Sequence, residues 1–316
     1  MNTMDGPASS ETVFERFSTG VPGLDVRLGG GLLPGTTTVV VGASGIGKTQ
    51  LGVQFAAAGA AQEGRRGIIF DLTSRGDSQN QTGYARRIAG WTPAPAVPTF
   101  HPELHHFFDT DRRFGEILNI FGGLGRRVTR QDLPFETQRE WAAELARRLT
   151  ASITFFYGNF TQGVRRCVLD GIEPVERVSD SIQFELIEYI CHQILRKDAE
   201  WVARDLFREK FRSPSDPTDL ASPTNEQLAA QYRHETSRLA SMILQTSAET
   251  SLEALLDRPL SEGDLLSNAN TILYMGRIRD GMKFRRAIAI VKHRGSACDD
   301  SILPYTIDDM GLRIEE

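Results

Sequence analysis

Residues 42–49 read Gly-Ala-Ser-Gly-Ile-Gly-Lys-Thr, and they join a β-branched run (36–41) to an alanine-rich stretch (50–61). No other feature constrains the fold as strongly. The β-branched run suits a strand buried on both faces. The glycines let consecutive backbone N–H groups curl toward one anion, and a helix starting there turns its positive end to the same point. The segment matches G-x-x-x-x-G-K-[ST] without a mismatch, in the strand-then-helix context the motif requires. Gly42, Ala43, Ser44, Gly45, Ile46, Gly47, Lys48 and Thr49 therefore read as a phosphate-cradling loop, with Gln50 at its rim. Lys48 supplies a mobile positive charge for β- and γ-phosphates, and the Thr49 hydroxyl a ligand for Mg2+. The ligand expected is ATP with magnesium.

Downstream, strand and helix signals alternate. Residues 67–72 read as a second buried strand, and 80–88 as a helix ended by Gly90. Residues 92–102 hold four prolines and mark an irregular connection. Apolar residues at helical spacing (Trp141, Leu145, Leu149, Ile153, Phe156) place a helix over 137–156, which feeds a strand over 166–169 ending at Asp170. That order predicts an α/β fold with a mainly parallel sheet flanked by helices. Asp170 then reads as the acid that holds magnesium beside Thr49; an aspartate opening an ordinary turn is the plainer alternative. Helices are expected at 181–195 and 199–211, a proline-rich loop at 213–225, and a helix before a strand at 242–246. Short strands are expected at 271–275, 287–291 and 305–307.

Composition removes several classes of function. The net charge is -5, so the basic bias of a duplex-binding domain is absent. The local pairs Arg126-Arg127, Arg165-Arg166 and Arg285-Arg286 read as solvated faces. Nucleic acid remains an unsupported partner. No apolar run is long enough for a membrane helix, and residues 1–12 lack the basic and apolar regions of a secretory signal. Three widely spaced cysteines suggest neither a disulfide framework nor a metal knuckle. The expected location is cytoplasmic.

The approach segment, Ser18-Thr19-Gly20-Val21-Pro22-Gly23-Leu24-Asp25 followed by Leu28-Gly29-Gly30-Gly31-Leu32-Leu33-Pro34-Gly35 and the loop, resembles the RecA superfamily, most nearly its KaiC and RadA branch. The tail adds to the likeness through Arg285-Arg286-Ala287-Ile288-Ala289-Ile290-Val291-Lys292-His293-Arg294-Gly295-Ser296, then Pro304-Tyr305-Thr306-Ile307 and Gly311-Leu312. The likeness implies a single RecA-like ATPase domain over 14–316 after a flexible leader (1–13), with insertions around 92–136 and 173–235. It implies subunits assembled as a ring or filament, with Lys292 and Arg294 as the K-x-R cations that reach a neighbour's γ-phosphate. A protein partner of unknown identity is also expected.

One departure bears on activity. RecA-like enzymes carry a catalytic glutamate just after the second strand, and here that position is Thr73-Ser74. Asp71 lies two residues earlier and is the weak substitute; Asp77 is weaker still. The expected function is nucleotide-dependent assembly or switching with slow or absent hydrolysis. The alternatives are a recombinase-type DNA-binding ATPase and a purely regulatory ATP-gated interaction module. Among minor signals, His101, His105 and His106 near Glu103, Asp109 and Asp111 read as a polar surface loop. Glu249 follows the strand at 242–246, where RecA folds place polar sensors; Gln245 or Thr246 reads as a γ-phosphate sensor or as a group that simply satisfies the backbone.

Overall fold

The computed structural model describes residues 16–73, 80–99, 107, 112–121, 135–173, 186–187, 189–190, 195, 235–258 and 268–315. A nine-stranded sheet in the order β3-β2-β4-β5-β1-β6-β7-β8-β9 forms its centre. The strands are β1 (Thr36–Gly42), β2 (Ile68–Asp71), β3 (Ile117–Asn119), β4 (Arg166–Ile172), β5 (Ala240–Thr246), β6 (Thr271–Asp280), β7 (Lys283–His293), β8 (Leu303–Asp308) and β9 (Gly311–Ile314). The first six run parallel, and β7, β8 and β9 return antiparallel as hairpins. The fold is α/β, as expected.

Period-2 alternation assigns each central strand to two cores. Val39 and Val41 of β1 join one cluster and Val40 the other. Helix α1 (Leu24–Arg27) precedes β1, and α2 (Lys48–Gln62) and α3 (Gln81–Ala89) lie on the Val40 side. Helix α4 (Phe135–Thr161) covers the other face, where Phe156 packs against Phe70 with ring centroids 5.0 Å apart. Helix α5 (Leu252–Leu256) lies on that side too. Asn80 caps α3 by accepting from the Gly83 N–H, and Gly90 ends it in the left-handed region, the two punctuation marks visible in the sequence. Leu149, Ile153 and Phe156 face the core as their spacing predicts; the side chains of Trp141 and Leu145 lie outside the described residues.

Several expectations need correcting. Asp170 does not end its strand, since β4 runs on to Ile172 through a bulge at Gly171, which has φ 92°. Strand β3, within the stretch 92–136, pairs with β2 and belongs to the central sheet. The tail strands are longer than three short segments: β6 and β7 pair from Thr271↔His293 to Asp280↔Lys283. Charged residues at 277–286 hid that extension, because apolar patterning marks only the part of a strand that packs on a core. The helix expected before β5 falls largely outside the described residues; a 3₁₀ turn, Thr236–Arg238, directly precedes the strand. The helices at 199–211, the loop at 213–225 and the histidine cluster lie outside the described residues.

The approach segment is tied down by Asp25. Its carboxylate accepts from Ser18 Oγ (2.5 Å), Thr19 N (2.7 Å) and Thr19 Oγ1 (2.6 Å). Gln54 of α2 then donates to Gly20 O and Leu312 O and accepts from Leu312 N. These bonds fix α2 between the N-terminal segment and the last hairpin.

Candidate functional site

The loop 42–49 sits at the carboxyl end of β1, the central parallel strand, and Gly47 (φ 116°) leads into α2. In open parallel sheets ligands bind beyond these strand ends. A Cβ on Gly45 would meet nothing within 4 Å, so the loop crest is open toward a ligand. A Cβ on Gly47 would come within 2.6 Å of Ile307 Cδ1, because the β8–β9 hairpin walls that side. Tyr305 secures the wall by donating from its hydroxyl to Ile46 O at 2.7 Å. Gln50 at the rim accepts from Arg87 Nη2 at 2.8 Å.

Lys48 is buried and donates to Gly42 O and Ala43 O, both at 2.8 Å. Burial lowers its pKa to about 8, against the opposing pull of Asp170. Thr49 and Asp170 meet as sequence reasoning expects: the Thr49 side chain hydrogen-bonds the Asp170 carboxyl. Asp170 is 2% exposed, and burial raises its pKa to about 6 despite hydrogen bonds from Gln81 and Thr49. A hydroxyl and a carboxylate in contact beside a phosphate-binding loop are a hard-oxygen pair that suits magnesium. Gly171 N and Gln81 Nε2 donate to the two Asp170 oxygens, at 2.8 and 3.2 Å.

Asp71 stands beside Asp170 in the β2–β4 register, but its lone pairs are committed. Oδ1 accepts from Thr73 N (2.9 Å) and Thr73 Oγ1 (2.7 Å), and Oδ2 accepts from Asn119 Nδ2 (2.7 Å). Burial raises its pKa while donors on Thr73, Gln81 and Asn119 oppose the rise. This geometry belongs to a carboxylate that shapes the turn into Thr73. Sequence reasoning missed Gln81 and Asn119. Gln81 hid behind the Asn80 cap, and Asn119 lies on a three-residue strand too short to leave a period. Asp77 lies outside the described residues.

Lys292 and Arg294 are not near this loop. Strand β6 pairs Met275 with Gly42 at the loop end of β1, and Thr271 with Thr38 toward the other end. Strand β7 then sets His293 opposite Thr271 and Lys292 opposite Ile272. Both cations therefore sit at the end of the sheet away from their own loop. At the loop end of β5, Thr246 pairs with Gly42. Gln245 is 5% exposed with Oε1 unpaired among the described residues, and Glu249 accepts from Ser247 Oγ.

A G-x-x-x-x-G-K-T loop at the carboxyl end of a central parallel strand, with an acid two strands away on β4 touching its threonine, is the architecture of a P-loop fold. Comparison with known proteins narrows this. The KaiC ATPase family model matches residues 17–82, from the approach segment to the start of α3. Among solved structures, a KaiC-like protein from the hyperthermophilic archaeon Pyrococcus horikoshii superposes with a TM-score of 0.51 at 15% identity, over 96% of this chain and 100% of that one. No curated protein matches the sequence. The chain is thus similar to KaiC-type proteins over residues 17–82 and shares the fold of the KaiC-like protein across its length. None of the described helices is long and apolar enough to cross a membrane.

Proposed function

We propose that this chain binds ATP with magnesium and uses the bound nucleotide to assemble with copies of itself or to set its conformation, with slow hydrolysis. The observation that carries the reading is the loop constellation: Lys48 against the loop carbonyls, and Thr49 in contact with the buried Asp170. Magnesium would be held by Thr49 and Asp170, and there it would neutralise charge on the β- and γ-phosphates. Lys48 would exchange its two loop carbonyls for phosphate oxygens. Gln81 and Gly171 orient Asp170 for that work.

The two pKa shifts set a pH window. Below about 6 the Asp170 carboxyl holds a proton, which must leave before magnesium binds. Above about 8 Lys48 has lost its proton, and the phosphates must draw one back from water. ATP affinity with magnesium is therefore expected to peak between these values and to fall by up to about tenfold per pH unit on either side. Lys48→Ala is expected to lower affinity about tenfold or more, on the order of 1.4 kcal/mol, and to remove the alkaline limb. Titration with a fluorescent ATP analogue at pH 5, 7 and 9 reads both effects. A folded Lys48→Ala variant with unchanged affinity counts against the loop assignment.

The placement of Lys292 and Arg294 supports a role in assembly. Four residue steps along β1 separate the level of Thr38 from Gly42, about 13 Å at strand rise, so neither cation serves its own loop. A head-to-tail contact would bring them to a neighbour's phosphates, and such a contact repeats into a ring or a filament. Sizing by light scattering with ATP, with ADP and without nucleotide, alongside phosphate release, tests this. ATP is expected to favour oligomers in the parent, and Lys292→Ala/Arg294→Ala is expected to stay small in all three conditions. A parent protein that remains monomeric with saturating ATP at high concentration rules the trans role out.

The capped Asp71 favours the switch over a brisk enzyme. A carboxylate already accepting from Thr73 and Asn119 is poorly placed to take a proton from water.

A further inference from the structure

The β6–β7 hairpin continues past the last contact between β6 and β1, at Met275. Five residues in β6, from Gly276 to Asp280, extend it by about 17 Å at strand rise. The turn between the strands is Gly281-Met282, with Gly281 at φ 57°. Residues 277–286 carry Arg277, Arg279, Lys283, Arg285 and Arg286 against one carboxylate, Asp280, in a chain whose net charge is -5.

Three observations mark this arm as more than a solvated face. First, Arg277 and Arg286 are directly opposite one another in the ladder. Like charges in that position destabilise a sheet, and among the described residues neither has an ion pair. Second, Met282 is 101% exposed and Phe284 73% exposed. Edge lysines and arginines alone would guard against stray strand pairing, but an exposed Phe and Met beside them work against that purpose. Third, β8 pairs with β7 only over 286–288, so main-chain groups of 283–285 face no described strand.

We propose that this arm is a docking surface for an acidic protein segment carrying an apolar anchor. Arg277, Arg279, Phe284 and Arg286 share one face of the hairpin in this register; the segment's carboxylates would pair with Arg277 and Arg279, and its apolar side chain would cover Phe284 and, at the turn, Met282. On the arm's other face Arg285 is already taken by carboxylates, pairing with both Asp280 and Glu315, which leaves Arg277 and Arg279 as the cations open to a partner. Arginine, methionine and phenylalanine are the residues enriched at protein interfaces. A long nucleic acid fits less well. It would extend beyond the narrow arm onto a body that is acidic once the arm's cations are set aside. An extended segment could also pair with the edge at 283–285, which faces no described strand, in the strand-addition mode of recognition.

The probe is a fluorescein-labelled peptide of glutamates flanking a single leucine, read by anisotropy at low salt. Its comparators are an all-glutamate peptide, a leucine peptide with lysines in place of glutamates, and a labelled oligothymidylate. The full chain is expected to bind the glutamate–leucine peptide at least threefold more tightly than the all-glutamate peptide, and the lysine peptide not at all. Arg277→Glu/Arg279→Glu is expected to weaken binding at least tenfold, and Phe284→Ser to erase the preference for leucine. These side chains are exposed, so both variants are expected to bind the ATP analogue as the parent does, which separates failure of this surface from failure of the loop. Unchanged peptide binding in the charge-reversed variant, or no binding by the parent, overturns the proposal. So does oligothymidylate binding that is tighter than peptide binding and lost in the same variant.

Discussion

Arg166→Ala is expected to destabilise the protein by about 3–5 kcal/mol, the cost of breaking a buried ion pair from one side. The Arg166 side chain is 0% exposed and that of its partner Glu63 4% exposed. Its guanidinium bonds both Glu63 oxygens, Gln62, Ser18 O and Phe55 O, and lies between the rings of Phe17 (5.1 Å) and Phe55 (4.9 Å). One side chain thus joins the start of β4, the end of α2 and the approach segment. Alanine removes the cation and strands the Glu63 carboxylate and two carbonyls in a dry site. Urea unfolding measures the loss. The double variant Arg166→Met/Glu63→Leu is expected to recover most of it, because no lone charge then stays buried. A single variant within 1 kcal/mol of the parent means that Glu63 reaches water and the site is not closed.

The contrast between Arg166 and Lys48 shows what the sequence makes legible. Lys48 is readable because the chemistry of phosphate binding fixes its neighbours along the chain, and α2 and β1 fall where that motif requires. Arg166 read as half of a solvated arginine pair. Its partners lie more than 100 residues away in sequence, so only the fold brings them together. The same limit hid Gln81 and Asn119, which act on Asp71 and Asp170 from other elements. Asp170 was readable as an acid after an apolar run, but its bulge at Gly171 was not, since the strand continues through residues that carry no strand pattern. The arm at 277–286 is the complementary case. Its charges broke the apolar pattern, and the ladder that sets Arg277 opposite Arg286 is visible only in the register.

Thr73→Glu is expected to raise ATP turnover by about 10²–10⁴-fold, the usual contribution of a general base. Thr73 follows β2 at the level of Asp170 and its bulge, and a Cβ on Gly171 would come within 2.5 Å of Thr73 Cγ2. A side chain at 73 therefore borders the acid that would hold magnesium. The threonine hydroxyl spends its proton on Asp71 Oδ1 and carries no charge with which to draw a proton from water. A carboxylate there would supply the missing acceptor, provided that Lys48, Thr49 and Asp170 bind the nucleotide as proposed. Asp71→Asn is the control. It keeps the side-chain size and an acceptor for Thr73, so the turn should persist while the carboxylate goes. If Asp71 only shapes the turn, this variant changes stability and leaves the slow parental rate within about threefold. If the parent already turns over briskly and Asp71→Asn collapses the rate, then Asp71 is the base despite its capped oxygens. Single-turnover phosphate release measured beside ATP-analogue affinity separates these outcomes, since a change in binding alone leaves the rate at saturation untouched. A Thr73→Glu protein that binds ATP as the parent does, yet hydrolyses no faster, shows that the site lacks more than a base. The nucleotide then acts on this chain as a ligand, and assembly or switching is its whole effect.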